Sequence, residues 1–263
     1  MAWRHLPKLR YPIRTKHMYN QVKSAFITLT RLPFIEIRDD DFDLRGSLWA
    51  FPIVGLVLGG ILTLAASWLY RVHMDPLIAC ALLFLLLILM TGALHEDGLA
   101  DFADSLGASS SERRLEIMRD SHIGTYGTLA LIFSFAMRVY ALSFVWEYTE
   151  LLYIIIISLM VSRGAMVFVP IFSVPARNDG LAANFKNISI IQLLIGQSMI
   201  AIVGYYLIGN DVVYLLLIGV IVSFLVARFA TAKLGGFTGD VLGATEQITQ
   251  ISCFVIFHLM IQY

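Results

Sequence analysis

"PLIACALLFLLLILMTGALHEDGLADFADSLG", residues 76–107, decides how this chain is read. From Pro76 to Leu94 no side chain is charged; Glu96, Asp97, Asp101 and Asp104 then fall within nine positions. An apolar run close to the roughly 20 residues that cross a bilayer reads as a membrane helix. The acids therefore stand where the chain leaves the apolar phase.

Outward from this stretch, the same apolar character recurs. Stretches that come close to spanning length lie at about 50–70, 77–94, 128–146, 151–172, 190–208, 212–232 and 247–261, the last being the shortest. Of the 263 residues, 58% are hydrophobic and only 14% charged, with a mean hydropathy of +0.77. Soluble domains carry roughly 25% charged residues. The fold expected is an all-α, polytopic membrane bundle of six or seven transmembrane helices. Polar segments at 95–127, 173–189 and 233–246 separate the spans, and no internal repeat or low-complexity tract interrupts them.

Short cytoplasmic loops retain Lys and Arg, and the 19 basic residues are placed unevenly. Nine lie in residues 1–49, and the three polar segments hold most of the others, whereas the 71–76 loop has only Arg71. This predicts a cytoplasmic N-terminus, with all three polar segments on the cytoplasmic face of the cell membrane. Residues 1–19 form a basic extension and 20–263 a single membrane-embedded domain. Residues 1–49 lack an apolar core with a small-residue cleavage site, so a cleaved signal peptide is not expected. Before the first span, "QVKSAFITLTRLPF" places Val22, Phe26 and Leu29 at helical spacing, which predicts an interfacial or shallowly buried amphipathic helix ending at Pro33. Acids and bases both total 19, which gives no reason to expect nucleic acid as a partner. Cys80 and Cys253 sit in apolar runs without metal-ligand spacing and read as core residues.

If residues 92–105 continue the second span as helix, ~100° per residue puts Asp101 ~40° from Asp97 and Asp104 ~20° from it on the other side. Three carboxylates then share one face and Glu96 points elsewhere. Like charges that close repel one another unless a cation lies among them, and hard cations such as Mg²⁺ take carboxylate and phosphate oxygens. Asp97, Asp101 and Asp104 are therefore the candidate metal ligands; a merely solvated helix end is the alternative. No Lys or Arg occurs from Gly92 to Ser111, where a solvated face would mix both signs.

Farther on, Ser109 and Glu112 stand at capping-box spacing before a short helix. "RDSHIGTYGT", 119–128, follows. It offers Arg119, Asp120, Ser121, Thr125 and the glycines Gly124 and Gly127 at the mouth of a span, which suits phosphate oxygens. "KLGGFTGDVLGATEQ", 233–247, brings Gly236, Thr238, Gly239 and Asp240 to the same predicted face. Two arginines lie inside spans, where a charge costs at least about 2.5 kcal/mol. Arg163 is expected to reach inward to anionic substrate, and Arg138 to snorkel or pair with Glu147 or Glu150. The six histidines show no base-and-nucleophile arrangement, and there is no Walker loop or GxGxxG.

As a set, "RLPF" (31–34), "FPIVGLVLGGI" (51–61), "GALHEDGLADFADSLG" (92–107), "RRLEIMRDSHIGTYGTLAL" (113–131), "SRGAM" (162–166) and "GGFTGDVLGATEQI" (235–248) resemble the cobalamin synthase, or adenosylcobinamide-GDP ribazoletransferase, family in order and spacing. The resemblance covers nearly the whole chain from about residue 20. It implies a Mg²⁺-dependent membrane enzyme that joins adenosylcobinamide-GDP to α-ribazole or its 5′-phosphate, releasing GMP, late in cobalamin biosynthesis. The attacking group it implies is the ribose 3′-hydroxyl. On this basis Asp97, Asp101, Arg119 and Asp120 are the expected catalytic residues. Arg163, Ser121, Gly124, Thr125, Gly127, Gly236, Thr238, Gly239 and Asp240 are expected around the phosphates. Where the family commonly has Gly-Phe-His-hydrophobic-Asp-Gly, this chain has Gly92-Ala93-Leu94-His95-Glu96-Asp97-Gly98, and "ADSLG" replaces a usual Asp-Gly pair. The resemblance thus supports Asp97 and Asp101 more than Asp104, and leaves Glu96 without a role.

The expected partners are the two substrates and the lipid bilayer, with a homo-oligomer or a complex with other nucleotide-loop enzymes beside them. Two rival functions share parts of the pattern. A CDP-alcohol phosphatidyltransferase would also use a membrane-mouth aspartate cluster and Mg²⁺. A secondary transporter would place its ionisable groups near the bilayer midplane instead.

Overall fold

The computed structural model describes residues 18–33, 35–146, 152–185 and 188–262. The basic extension at 1–17 and the acids Glu147 and Glu150 lie outside the described residues. Among the described residues eleven α-helices follow one another: α1 (Met18–Leu29), α2 (Phe51–Arg71), α3 (Pro76–Thr91), α4 (Leu94–Ser105), α5 (Ser111–Ile117), α6 (Thr125–Ser143), α7 (Tyr153–Met166), α8 (Val169–Phe172), α9 (Ile190–Ile208), α10 (Val212–Leu234) and α11 (Gly239–Gln262). Among the described residues the one β feature is an isolated parallel bridge between Pro175 and Phe237.

Local chemistry sets the ends of several helices. Asp75 caps α3 by accepting from Leu77 N at 3.0 Å and Ile78 N at 3.1 Å, with Pro76 at the first helical position, where its missing N–H is not needed. Ser189 caps α9 in the same way. The cap of α5 is Ser110, whose hydroxyl accepts from Arg113 N, rather than the expected Ser109. Gly235, with φ +79°, closes α10 in the left-handed region that glycine enters without a Cβ penalty.

Each of the seven apolar stretches coincides with a helix, but they are not equivalent. Among the described residues four helical stretches have the length and composition to cross a membrane: Leu48–Arg71, Thr125–Ser143, Tyr153–Phe172 and Ile190–Leu234. The last folds as α9 and α10, two helices in contact across the turn at Gly209–Asp211. α3 and α4 make a fifth only as one broken span, because they meet at 91°. The expected continuous helix from α3 into the acidic stretch is thus interrupted: Gly92 and Ala93 both take the left-handed conformation, with φ of 65° and 57°. For Ala93 that conformation costs about 1 kcal/mol. α11 falls outside the spanning set because its first half carries Asp240, Glu246, Gln247 and Gln250.

α7 is the central strut. Every residue from Ile157 to Met166 is buried, and α2, α9, α10 and α11 all pack on it. A helix apolar on all sides belongs in an interior. α2 approaches it closely through Gly55 and Gly59, where an added Cβ would lie 2.6 Å from backbone atoms Leu159 C and Ile156 Cα. This small-xxx-small approach is the close packing used between membrane helices, where hydrophobicity itself drives no association. Facing outward are large apolar side chains such as Leu64, Leu89, Phe133 and Ile202. A surface of that kind suits lipid rather than water. α1 is half sunk: Ala25, Phe26 and Leu29 are buried against α2 and the turn before it, while Met18 and Tyr19 face out. Cys80 and Cys253 are buried and free, as core residues.

Candidate active site

The acidic helix is held face to face with α11. An added Cβ on Gly98 would lie 2.9 Å from Asp240 O and 3.2 Å from Gly243 Cα, so α4 and α11 cross with their backbones nearly touching. Only glycine on α4 permits this. Asp97 and Asp101, one helical turn apart and half-buried, are thereby brought toward Asp240, which is buried at the first turn of α11. Asp101 lies within coulombic reach of Asp240, Asp97 and Asp104, and Asp240 within reach of Asp97. Two helices thus bring together carboxylates that repel one another unless a cation lies among them.

Asp240 has two polar neighbours. Thr238 donates to its Oδ2 at 3.1 Å, and Arg177 Nη2 stands 3.8 Å from the same oxygen. Arg177 is placed there by main chain: Phe237 N donates to Val174 O and Ala176 N to Phe237 O, so the 174–177 segment runs beside the entry to α11. Gly236 allows this approach, since an added Cβ would lie 2.7 Å from Ala176 N. Gly239 opens α11 behind it. Arg177 was not among the residues expected here. Its one signal in the sequence is membership of a polar segment assigned to the same face as the acids.

Asp104 departs from its expected role. Both of its oxygens accept from the start of α6: Gly124 N reaches Oδ2 and Gly127 N reaches Oδ1, each at 2.7 Å. The helix N-terminus expected to cradle phosphate through Gly124, Thr125 and Gly127 therefore holds the protein's own carboxylate, for the same reason that such termini bind anions. Asp104 works as a cap on α6 supplied from another helix. The preceding loop is also committed. Arg119 donates to Asp179 at 2.7 Å, and Asp120 Oδ1 meets His122 N at 3.2 Å and His122 Nδ1 at 2.6 Å, with Ser121 exposed between them. The Arg119–Asp179 pair joins polar segments one and two, while Asp120–His122 is local to the first. Arg114 Nη1, donating to Lys233 O at 3.1 Å, joins the first to the third.

The two intramembrane arginines have protein partners. Arg138 Nη1 is 3.2 Å from Glu96 Oε1, which gives it a partner on α4; the expected Glu147 and Glu150 lie outside the described residues. Glu96, the acid without an expected role, is thereby assigned. Arg163 Nη1 is 3.0 Å from Glu246 Oε1, and the side chain is fully buried. It is spent inside the bundle and does not turn toward the aspartates. Among the described residues, the cation beside Asp240 is Arg177.

The donor set fits Mg²⁺ chemically: two half-buried carboxylates on one helix turn, a third across from them, and no nitrogen or sulfur donor required. Mg²⁺ is usually held by one or two carboxylates, waters and substrate phosphates rather than by a complete protein cage. Among the described residues, no group of three or more His, Cys, Asp or Glu is drawn together closely enough to hold a metal ion by itself.

Comparison with known proteins gives this arrangement a family. The chain is 32% identical over 255 residues to an adenosylcobinamide-GDP ribazoletransferase of Mesorhizobium japonicum, covering 95% of this chain and 96% of that one. It is 37% identical to the proteins of that name from Sinorhizobium medicae, over 243 residues, and Rhizobium johnstonii, over 238 residues; each alignment covers 87% of this chain and 91% of the relative. No solved structure matches. The family model described as cobalamin-5-phosphate synthase matches residues 21–258, which takes in both helices of the aspartate crossing, and the chain belongs to that family.

Proposed function

We propose that this protein transfers the phospho-cobinamide part of adenosylcobinamide-GDP to a ribose hydroxyl of α-ribazole, or of its 5′-phosphate, with release of GMP. The observation that carries this reading is the crossing of α4 and α11. It sets Asp97 and Asp101 against Asp240, beside Arg177, at the end of the bundle where three polar segments meet. The relatives' name supplies the substrates.

In this reading Asp97 and Asp101 hold Mg²⁺, with Asp240 opposite. When bound, the ion neutralises pyrophosphate oxygens and stabilises the departing GMP. The chain's own contribution is placement and charge. Arg177, loosely paired at 3.8 Å, exchanges Asp240 for a phosphate oxygen when substrate enters. Thr238 keeps Asp240 oriented through its 3.1 Å bond. Asp104 draws the start of α6 against α4 and so closes one wall of the site. Phosphoryl transfer is mostly positioning and electrostatic stabilisation, so such a frame suffices without a covalent nucleophile. The charge map puts the site on the cytoplasmic side of the cell membrane.

The test is release of GMP by purified protein given adenosylcobinamide-GDP and α-ribazole, with and without Mg²⁺. Release that needs both α-ribazole and the metal is expected. Asp97→Asn or Asp101→Asn should lower it by about a hundredfold, the scale of losing a main electrostatic stabiliser. Near-normal Mg²⁺-dependent turnover in either variant, or transfer from CDP-diacylglycerol to serine or glycerol phosphate instead, would overturn the reading.

A further inference from the structure

Below the aspartate crossing lies a buried polar network that the proposed chemistry does not use. Gln247 stands at its centre. Its Oε1 accepts from Ser134 at 2.9 Å, and its Nε2 donates to Glu96 Oε1 at 3.1 Å and to Glu246 Oε2 at 3.0 Å. One amide thereby bridges the Glu96–Arg138 pair and the Glu246–Arg163 pair. Arg138 donates further to Gln250 Oε1 at 3.1 Å, and Ser162 donates to Glu246 Oε1 at 2.9 Å. The residues come from α4, α6, α7 and α11, and all are buried.

Such a network is a poor way of merely holding helices together. Well-packed apolar residues of the same volume usually do as well as a buried ion pair or better, whereas directional polar contacts select one arrangement over its near neighbours. The arrangement selected here is the register of α4 on α11. On α11, Gln247 follows Asp240 by seven residues and so lies ~20° from it around the helix, ~10.5 Å farther along. On α4, its partner Glu96 immediately precedes Asp97. The crossing is thus fixed at two points along one face: the Gly98–Gly243 backbone approach, where a Cβ on Gly243 would lie 3.3 Å from Gly98 Cα, and the Gln247–Glu96 hydrogen bond. Between them the position of Asp97 and Asp101 relative to Asp240 is determined.

We propose that Gln247 is a positioning residue, whose bridge between the two buried ion pairs sets the register of α4 on α11 and thereby the metal-binding geometry of Asp97 and Asp101. The proposal rests on the reading that these aspartates receive a divalent cation. The probe is Mn²⁺ alone, its binding to purified full-length protein in nanodiscs followed by electron paramagnetic resonance, with melting of the metal-free protein measured alongside. Gln247→Met removes the bridge without leaving a new charge. It should weaken Mn²⁺ binding by about tenfold, as loss of outer-shell partners does, while the metal-free protein still melts cooperatively, at a temperature lowered by the buried groups left unpaired. Ser134→Ala, which removes only the donor that orients the amide, should give a smaller weakening and carries the same test if Gln247→Met does not fold. Wild-type affinity in the folded variants, with binding abolished in Asp97→Asn, overturns the positioning role and leaves the metal reading intact. Failure of wild-type protein to bind Mn²⁺, or undiminished binding in Asp97→Asn, overturns the metal reading and the positioning role with it.

Discussion

The molecule pairs charges in two settings, and they obey different rules. At the polar end, Arg119–Asp179, Arg113–Glu116 and Asp120–His122 are all more than half exposed at both partners. In the bundle interior, Arg138–Glu96 and Arg163–Glu246 are almost wholly enclosed. An exposed pair exchanges one hydrated state for another and contributes little. A buried pair has no such alternative, since either partner left alone is an uncompensated charge in an apolar medium. The interior pairs therefore dictate how α4, α6, α7 and α11 fit together, while of the exposed ones only Arg119–Asp179 ties two loops and the other two are local.

This contrast is open to direct attack. The largest effect is expected from breaking an interior pair one side at a time. Arg163→Leu or Glu246→Leu should each destabilise the protein by about 3–5 kcal/mol, read as a lower melting temperature or loss of monodisperse protein in detergent. The double replacement should cost less than either single one. Single losses no worse than the double would show that the interior pair behaves like a surface pair.

Next in size is Asp104, intermediate between the two settings because its partners are main-chain N–H groups. Asp104→Ala should cost about 1–2 kcal/mol through loss of the cap on α6, with increased hydrogen exchange at Gly124 and Gly127. Arg119→Ala or Asp179→Ala should change stability by less than about 1 kcal/mol, with a difference from wild type that shrinks as salt is raised.

The smallest effect is one of pH. The hydrogen bond and charge of Asp120 raise His122 above the ordinary histidine value of 6.5, and His122 holds Asp120 below the ordinary 3.8. The His122 contribution is complete below pH 6.5 and fades as pH rises through its raised value, whereas the Asp120 contribution fades as pH falls through its lowered value. NMR titration should show the raised His122 value, and Asp120→Asn should bring it down toward 6.5. An unchanged titration would mean the pair does not persist in solution.

Much of this was legible without coordinates. Apolar runs located the helices, because burial in lipid demands length and composition that stand out from any soluble pattern. Helical spacing picked Asp97, Asp101 and Asp104, of which the first two lie at the α4–α11 crossing and the third at the start of α6; the family blocks supplied the class of substrate. The bend at Gly92-Ala93 was hidden, since alanine gives no sign of a left-handed conformation. The partners of charged groups were hidden as well. Arg138 was expected to find acids at the nearby turn and found Glu96, 42 positions back. Arg163 was expected to face substrate and found Glu246, 83 positions ahead. The polar run "TEQITQ", 245–250, in an otherwise apolar helix was the available hint.

The sequence by itself determined which segments are helical, which belong to the apolar phase and which acids share a helix face, because these depend on residues a few positions apart. Only the tertiary structure decided which carboxylate each cation meets. A charge inside a low-dielectric bundle must be paired, but the sequence does not record which helix crosses close enough to supply the partner. That is why Asp104 became a cap, Arg177 the cation of the site, and Glu96 the anchor beneath it.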